Sequence, residues 1–370
     1  MSVSATLPRA GFDRPVLAAS VAALAGVAAI LVHDGALRSL ALLGIAAALG
    51  AVFLTTGFGF TGAFRSWLTR GDGSGLVAGI AVAMVCAVVV IPVAALVPGY
   101  SGFEAPIGLP LIGGAMLFGV GMQWGNGCGS GTLYTAGGGS RRMWVVLPFF
   151  CVGGLLGSLM LPTAFALPAL PEVVLPRLLG PWAGLAATLA LAGLLVRFVL
   201  SRGPRPDTDR LRAACAIGVL AVMAFLVSGQ PWGVTTGLTL WGAKAASALG
   251  FGVGATEYWS WDGPKQALTG SLLAQDSSLM DIGMILGATI AAARSGTFRA
   301  QAWPPVRGLV GAALGGLAMG IGARLSFGCN IGAMVGGIAS GSLHGFVWFF
   351  AMLPGCWLGI RLRPLFGLGN

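Results

Sequence analysis

Apolar residues fall in long unbroken runs along most of this chain, not in the every-third-or-fourth stripe of a helix that faces water on one side. Runs approaching the roughly 20 residues needed to cross a bilayer are predicted near 16–33, 38–56, 75–98, 108–126 and 143–163. Five more follow near 178–200, 211–228, 279–293, 305–323 and 343–361, the 279 run being short. The first run sits behind Arg9 and Arg14, as a signal peptide would. A second run starts almost at once with no convincing cleavage site between them, so the first is read as a transmembrane helix. The expected fold class is all-α: a polytopic membrane protein of about ten helices.

The polar positions carry a repeat. The most hydrophilic connector, "SRGPRPDTDRLR" at 201–212, divides one membrane domain into a first half, 1–200, a cytoplasmic linker, 201–212, and a second half, 213–370. At an offset of 201 residues Cys128 falls on Cys329. In the same register Gly114, Gly119, Gly121, Gly127, Gly131 and Gly154 fall on Gly315, Gly320, Gly322, Gly328, Gly332 and Gly355. A second match, at an offset of 180, sets "TTGFGFTGA" from Thr55 against "TTGLTLWGA" from Thr235. Each half therefore carries two glycine-rich breaks, where broken or re-entrant helices are expected. Equivalent spans cross in opposite directions, an inverted repeat of the kind found in transporters.

Composition narrows the class. Hydrophobic residues make up 56% and charged residues 9%, against about 25% charged in soluble domains, and mean hydropathy is +0.89. With both termini placed in the cytoplasm, sixteen of the 21 Lys and Arg fall on the inner side. The other five are Arg38, Arg177, Lys244, Lys265 and Arg324. The net charge of +10 then needs membrane lipid as its partner and no nucleic acid. This distribution points to a bacterial inner membrane. No nucleotide-binding motif suggests primary active transport.

Glycine lets backbone leave a helix at membrane depth, and the freed N–H groups must find partners or line a cavity. Such a break, with the positive end of the following half-helix, favours an anion. Cys128 and Cys329 each add a polarizable thiol suited to a soft partner such as sulfur. Asn126 and Asn330 flank the cysteines and could donate to an anion or cap the break, while Gly127, Gly129 and Gly328 set the backbone around them. Gly59 and Thr61 lie in the earlier break. Cys86, Cys151, Cys215 and Cys356 read as packing within apolar runs, and no spacing suggests a metal site or a disulfide scaffold. His33, His344, Asp276 and Asp281 read as loop or interface residues, although an acid inside the membrane would suggest proton coupling. Lys244 and Arg324 would either draw anions to a pore or snorkel to headgroups.

The blocks "GVGMQWGNGCGSGT" and "MGIGARLSFGCNIGAMVGG" resemble the cysteine motifs of the YeeE/YedE family of thiosulfate transporters. The resemblance implies inverted halves forming an hourglass pore, with Cys128 and Cys329 as two thiols of a relay that passes thiosulfate along by its terminal sulfur. It also implies a third relay position, which the spacing puts at Gly59. A permease needs no cofactor and is not an enzyme, and a cytoplasmic sulfur-carrier protein is its natural acceptor. The alternative is a membrane sulfurtransferase or sulfur-delivery subunit using a cysteine persulfide, but no candidate general base lies near either cysteine motif.

Overall fold

The computed structural model describes residues 12–201, 203–298 and 302–369; Arg9, Arg202 and Arg299, counted above on the inner side, lie outside the described residues. The first part of the chain forms α1 (Arg14–His33), α2 (Leu37–Thr56), a half-helix α3 (Phe60–Arg70), α4 (Ser74–Leu96), α5 (Leu109–Gly125), a half-helix α6 (Gly129–Gly137) and α7 (Arg141–Phe165). After the short α8 (Leu175–Leu179) come α9 (Pro181–Leu200), α10 (Thr208–Ser228), the half-helix α11 (Thr235–Ala248), and two short surface helices, α12 (Glu257–Ser260) and α13 (Asp262–Thr269). The chain closes with α14 (Asp276–Arg294), α15 (Val306–Leu325), a π-helical turn Asn330–Gly336 continued by α16 (Gly337–Ala339), and α17 (Leu343–Leu362). A two-residue antiparallel pair, β1 (Ile107–Gly108) with β2 (Ala169–Leu170), ties two connectors together.

All ten predicted spans are helices. Among the described residues nine stretches are long and apolar enough to cross a membrane, and α5, at 17 residues, is the tenth helix of the bundle. The halves pack reciprocally. As α2 lies on α14, α10 lies on α4; as α1 lies on α14, α9 lies on α4; as α5 lies on α17, α15 lies on α7.

The centre of this arrangement is the crossing of α5 and α15. A Cβ on Gly114 would lie 2.7 Å from the Gly322 carbonyl oxygen, and one on Gly121 would lie 2.7 Å from that of Gly315. Gly114 and Gly315 are equivalents under the 201-residue offset, as are Gly121 and Gly322. Each contact thus joins a residue to its partner's equivalent, which is the mark of a two-fold axis between antiparallel helices. Only glycine permits this approach, because any side chain would meet backbone.

The second match needs correction. Thr55 and Thr56 end α2, whereas Thr235 and Thr236 begin α11. The letters agree but the places do not: the half-helices start at Phe60 and Thr235, an offset of 175.

Candidate functional site

Four breaks converge inside the bundle. After α2, Gly57 turns left-handed (φ 61°) and Gly59 is extended at the head of α3. After α5, Asn126 turns left-handed (φ 63°) and Cys128 caps α6, its Sγ accepting from the Gly131 N–H at 3.3 Å. After α10, Gly229 turns left-handed (φ 82°) and the chain runs through Trp232 to Val234 at the head of α11. After α15, Phe327 turns left-handed (φ 63°) and Cys329 heads the π-helical turn. Cys128 and Cys329 therefore hold the same place in the two halves. Their carbonyls accept from Thr132 N and Ala333 N respectively, each at 2.8 Å.

The breaks touch through small groups. Cys329 Sγ lies 3.1 Å from the position a Cβ on Gly129 would take, and Val234 Cγ1 lies 3.7 Å from that position. Glycine at 129 is what lets the second cysteine reach the first half-helix. On the other side, the Tyr134 hydroxyl donates to the Phe58 carbonyl at 2.9 Å and stands 3.0 Å from where a Gly59 Cβ would sit. Phe53 stacks on Tyr134 (centroids 5.5 Å apart, planes at 11°) and leans on Trp232 at 6.3 Å, joining the first break to the third.

Two cavities approach this junction from different sides. One, of about 670 Å³, is lined by Gly57, Phe58, Gly59, Arg70 and Arg210; the other, of about 380 Å³, by Trp232, Gly233, Thr236, Met280 and Arg324. Cys128 and Cys329 line neither, and both are buried. The thiols are enclosed in the structure between breaks whose outer residues face the cavities.

The remaining sequence-predicted residues take varied roles. Asn126 is exposed, and its Oδ1 accepts from Arg65 Nη1 at 3.0 Å and Arg363 Nη1 at 3.1 Å. The same guanidinium of Arg363 donates to the Gln123 carbonyl at 2.7 Å, and Arg142 donates to the carbonyls of Trp124 at 2.6 Å and Gly125 at 3.1 Å. Three arginines thus cap the carbonyl end of α5, a favourable place for positive charge, and none of the three has a carboxylate partner among the described residues. Asn330 is fully buried, with Nδ2 3.8 Å from Met352 Sδ and Oδ1 unpartnered among the described residues. Thr61 is buried with its hydroxyl likewise unpartnered. Gly127 and Gly328 precede the two cysteines, Gly127 lying against Met143.

Sequence reasoning missed the arginine cap, because its members come from α3, α7 and the chain after α17. It also misjudged two buried groups. His344 is fully buried, bonded through Nδ1 to Ser342 Oγ at 2.7 Å, and is no loop or interface residue. Asp276 does sit at a helix start, paired with Arg38 at 2.6 Å, but Asp281 one turn further in is completely buried. Of the two cations weighed for a pore, Lys244 donates to the carbonyls of Leu268 and Gly270, while Arg324 lines the smaller cavity and donates to the Tyr258 hydroxyl. Cys215, read as packing, is exposed on α10; Cys86, Cys151 and Cys356 are buried.

Two carboxylates in connectors respond to their surroundings. Hydrogen bonds from Ser74 hold Asp72 below the usual carboxylate range, and burial pushes Glu104 above it despite its pairing with Arg177.

Known proteins match this chain in sequence. Residues 55–358 fit the family model described as sulphur transport. The chain is 36% identical over 159 residues to the probable transporter YedE of Escherichia coli, covering 42% of this chain and 38% of that protein. A similar match, 35% over 158 residues, is made with the probable transporter YedE of Salmonella typhimurium. It is 27% identical over 279 residues to the thiosulfate transporter TsuA of Spirochaeta thermophila, covering 68% of this chain and 78% of that protein. A multi-pass helical protein whose matched segment runs from the first break through the second cysteine break and into α17, this chain belongs to the sulphur-transport family.

Proposed function

We propose that the protein is an inner-membrane permease that takes up a small sulfur-containing anion, thiosulfate first, through an hourglass path between the two cavities. The observation that carries this reading is that Cys329 reaches the head of the half-helix that Cys128 caps, the two thiols holding equivalent places at the junction of four breaks. A dianion there is favoured by the N-terminal N–H groups of the half-helices, and its terminal sulfur by two polarizable thiols. In this reading Asn330, Gly129 and Thr61 line the narrow part. Gly59 holds the place of a third thiol, and Asn126 with Gly127 and Gly328 fixes the backbone that aims the other two. The thiosulfate transport named for TsuA supports the substrate class.

Arg65, Arg70, Arg142 and Arg363 then mark the cytoplasmic side, with both termini there, anionic lipid around the rim and a sulfur-carrier protein as acceptor. The reciprocal packing, in which α9 takes the place of α1, favours a division between the halves in the stretch 166–180 over one at the 201–212 linker. The test is uptake of labelled thiosulfate into vesicles holding the purified protein, with sulfite, sulfate and selenium analogues as competitors. Thiosulfate uptake that sulfate fails to block is expected. Equal competition by sulfate would remove the thiols from selection, and stoichiometric persulfide on either cysteine would favour a sulfurtransferase.

A further inference from the structure

Asp281 is buried to 0% exposure in the second turn of α14, and neither carboxylate oxygen has a hydrogen-bond partner among the described residues. Its position is held by close packing. A Cβ on Gly237, in the first turn of α11, would overlap Asp281 Oδ2, and α11 is pinned to α14 by Gly237 N donating to Ser277 Oγ at 3.2 Å and Trp241 Nε1 donating to Ser278 Oγ at 2.8 Å. An ionised carboxylate sealed in a membrane with no donor is costly, and residues of this kind mark ion and proton pathways.

The neighbours decide what the counter-charge is. From α2, Leu43, Ala46 and Ala47 face α14; from α6, Gly137 packs on Ile285. Among the described residues, Cys329, at the second cysteine break, and Cys151 of α7 are thiols close enough to sense its charge. Tyr134 of α6 is committed to Phe58, Arg38 of α2 to Asp276, and Lys244 of α11 to two carbonyls, while Asp13, which caps α1, lies at the far end of α14, its backbone N–H donating to the Ala293 carbonyl. A metal ion such as Ca²⁺ or Mg²⁺ needs a shell of several oxygens; no group of three His, Cys, Asp or Glu able to hold one exists among the described residues. A proton needs only the carboxyl.

We propose that Asp281 binds a proton that crosses the membrane together with the anion. The inference rests on the permease reading above. Met280, beside it, lines the smaller cavity, and the α11 turn against it begins immediately after Val234, which faces Gly129 together with the Cys329 thiol. An anion at that junction repels a second negative charge one turn away, so anion and proton bind more tightly together than apart, and the coupling is reciprocal. One proton travelling with the thiosulfate dianion leaves a single negative charge to cross.

The experiment uses the full chain in vesicles with the membrane potential clamped. With the outside more acidic by about one pH unit, wild type should accumulate thiosulfate toward a limit of about tenfold, one proton per anion. Asp281→Asn, which keeps the size of the neutral carboxyl, should retain downhill uptake and lose the response to the gradient. A wild type that transports but ignores the gradient, or an Asp281→Asn variant that responds in full, overturns the proposal and leaves the permease standing. A protein that moves no thiosulfate under any condition sinks the permease reading instead. The proton site is then decided without transport, by the infrared band of a protonated carboxyl at neutral pH: its presence in wild type and loss in Asp281→Asn is the expected result, and its absence from wild type overturns the site.

Discussion

The two cysteine breaks share a backbone and part company at their side chains. Asn126 and Phe327 are equivalents, both at φ 63°, yet one is gripped by Arg65 and Arg363 and the other stacks on Phe165 with ring centroids 6.0 Å apart. Two residues further on, both breaks present a cysteine. Five residues before each thiol the side chains differ again: Gln123 in α5 answers to Arg324 in α15. The repeat therefore fixes where the chain leaves its helices and where the thiols stand, while the surrounding side chains are free to give the two mouths different charge. In the permease proposed above, that inequality would set the side of entry apart from the side of release.

The comparison is broken most severely at its shared frame. Gly315→Leu drives a side chain into the backbone of Gly125, and because this crossing organises both halves the expected outcome is loss of monodisperse protein in detergent, a cost above the roughly 1–3 kcal/mol of ordinary overpacking. Recovery of wild-type yield would show that the crossing does not hold the halves together.

Next come the shared thiols. Cys128→Ser and Cys329→Ser keep a small donor and lose the polarizable sulfur, so each should lower thiosulfate uptake per folded protein by about three- to tenfold. Cys86→Ser and Cys356→Ser should leave uptake near wild type, and wild-type rates in all four would remove the thiols from the path. The differing caps sharpen the contrast further. Arg363→Gln removes charge-assisted bonds to the end of α5 and should destabilise by about 2 kcal/mol, read as lowered thermal stability. Phe327→Ala forfeits its stacking on Phe165, worth about 0.5–1.5 kcal/mol beyond the burial it gives up; a larger loss than that of Arg363→Gln would reverse the ranking.

The smallest effect is in the connector of the arginine-lined cavity. Asp72 accepts from the Ser74 N–H at 3.0 Å and its hydroxyl at 2.6 Å, which lowers its affinity for a proton. Its contribution is present above the ordinary carboxylate range, near pH 4, and fades as pH falls through the lowered value. Asp72→Asn should flatten a shallow acid-side dependence of stability, and an unchanged acid profile would deny the group that role.

The helices were legible because each is an apolar run of bilayer length, and the cysteine breaks because a shared thiol anchors a register that glycine alone would leave ambiguous. The 180-residue match misled for that reason: between Thr55 and Thr235 the common letters are small residues that suit the end of one helix and the start of another. Asp276 and Asp281 look alike in sequence, five residues apart on one helix. What separates them is Arg38, 238 residues away, which reaches the first and not the second. The arginine cap is equally non-local, and the burial of His344 depends on Gly337 lying against its ring.

The glycine crossing has a consequence for how the protein is made. Gly121 meets Gly315, and Gly114 meets Gly322, so the frame of the first half has no partner until about 200 further residues have left the ribosome. At the usual 5–20 residues per second that is a wait of about 10–40 s. Through that interval α5 stands in the membrane with a bare groove along one face and an opened backbone at its end, and whatever shelters it then, lipid or insertion machinery, must give way when α15 arrives.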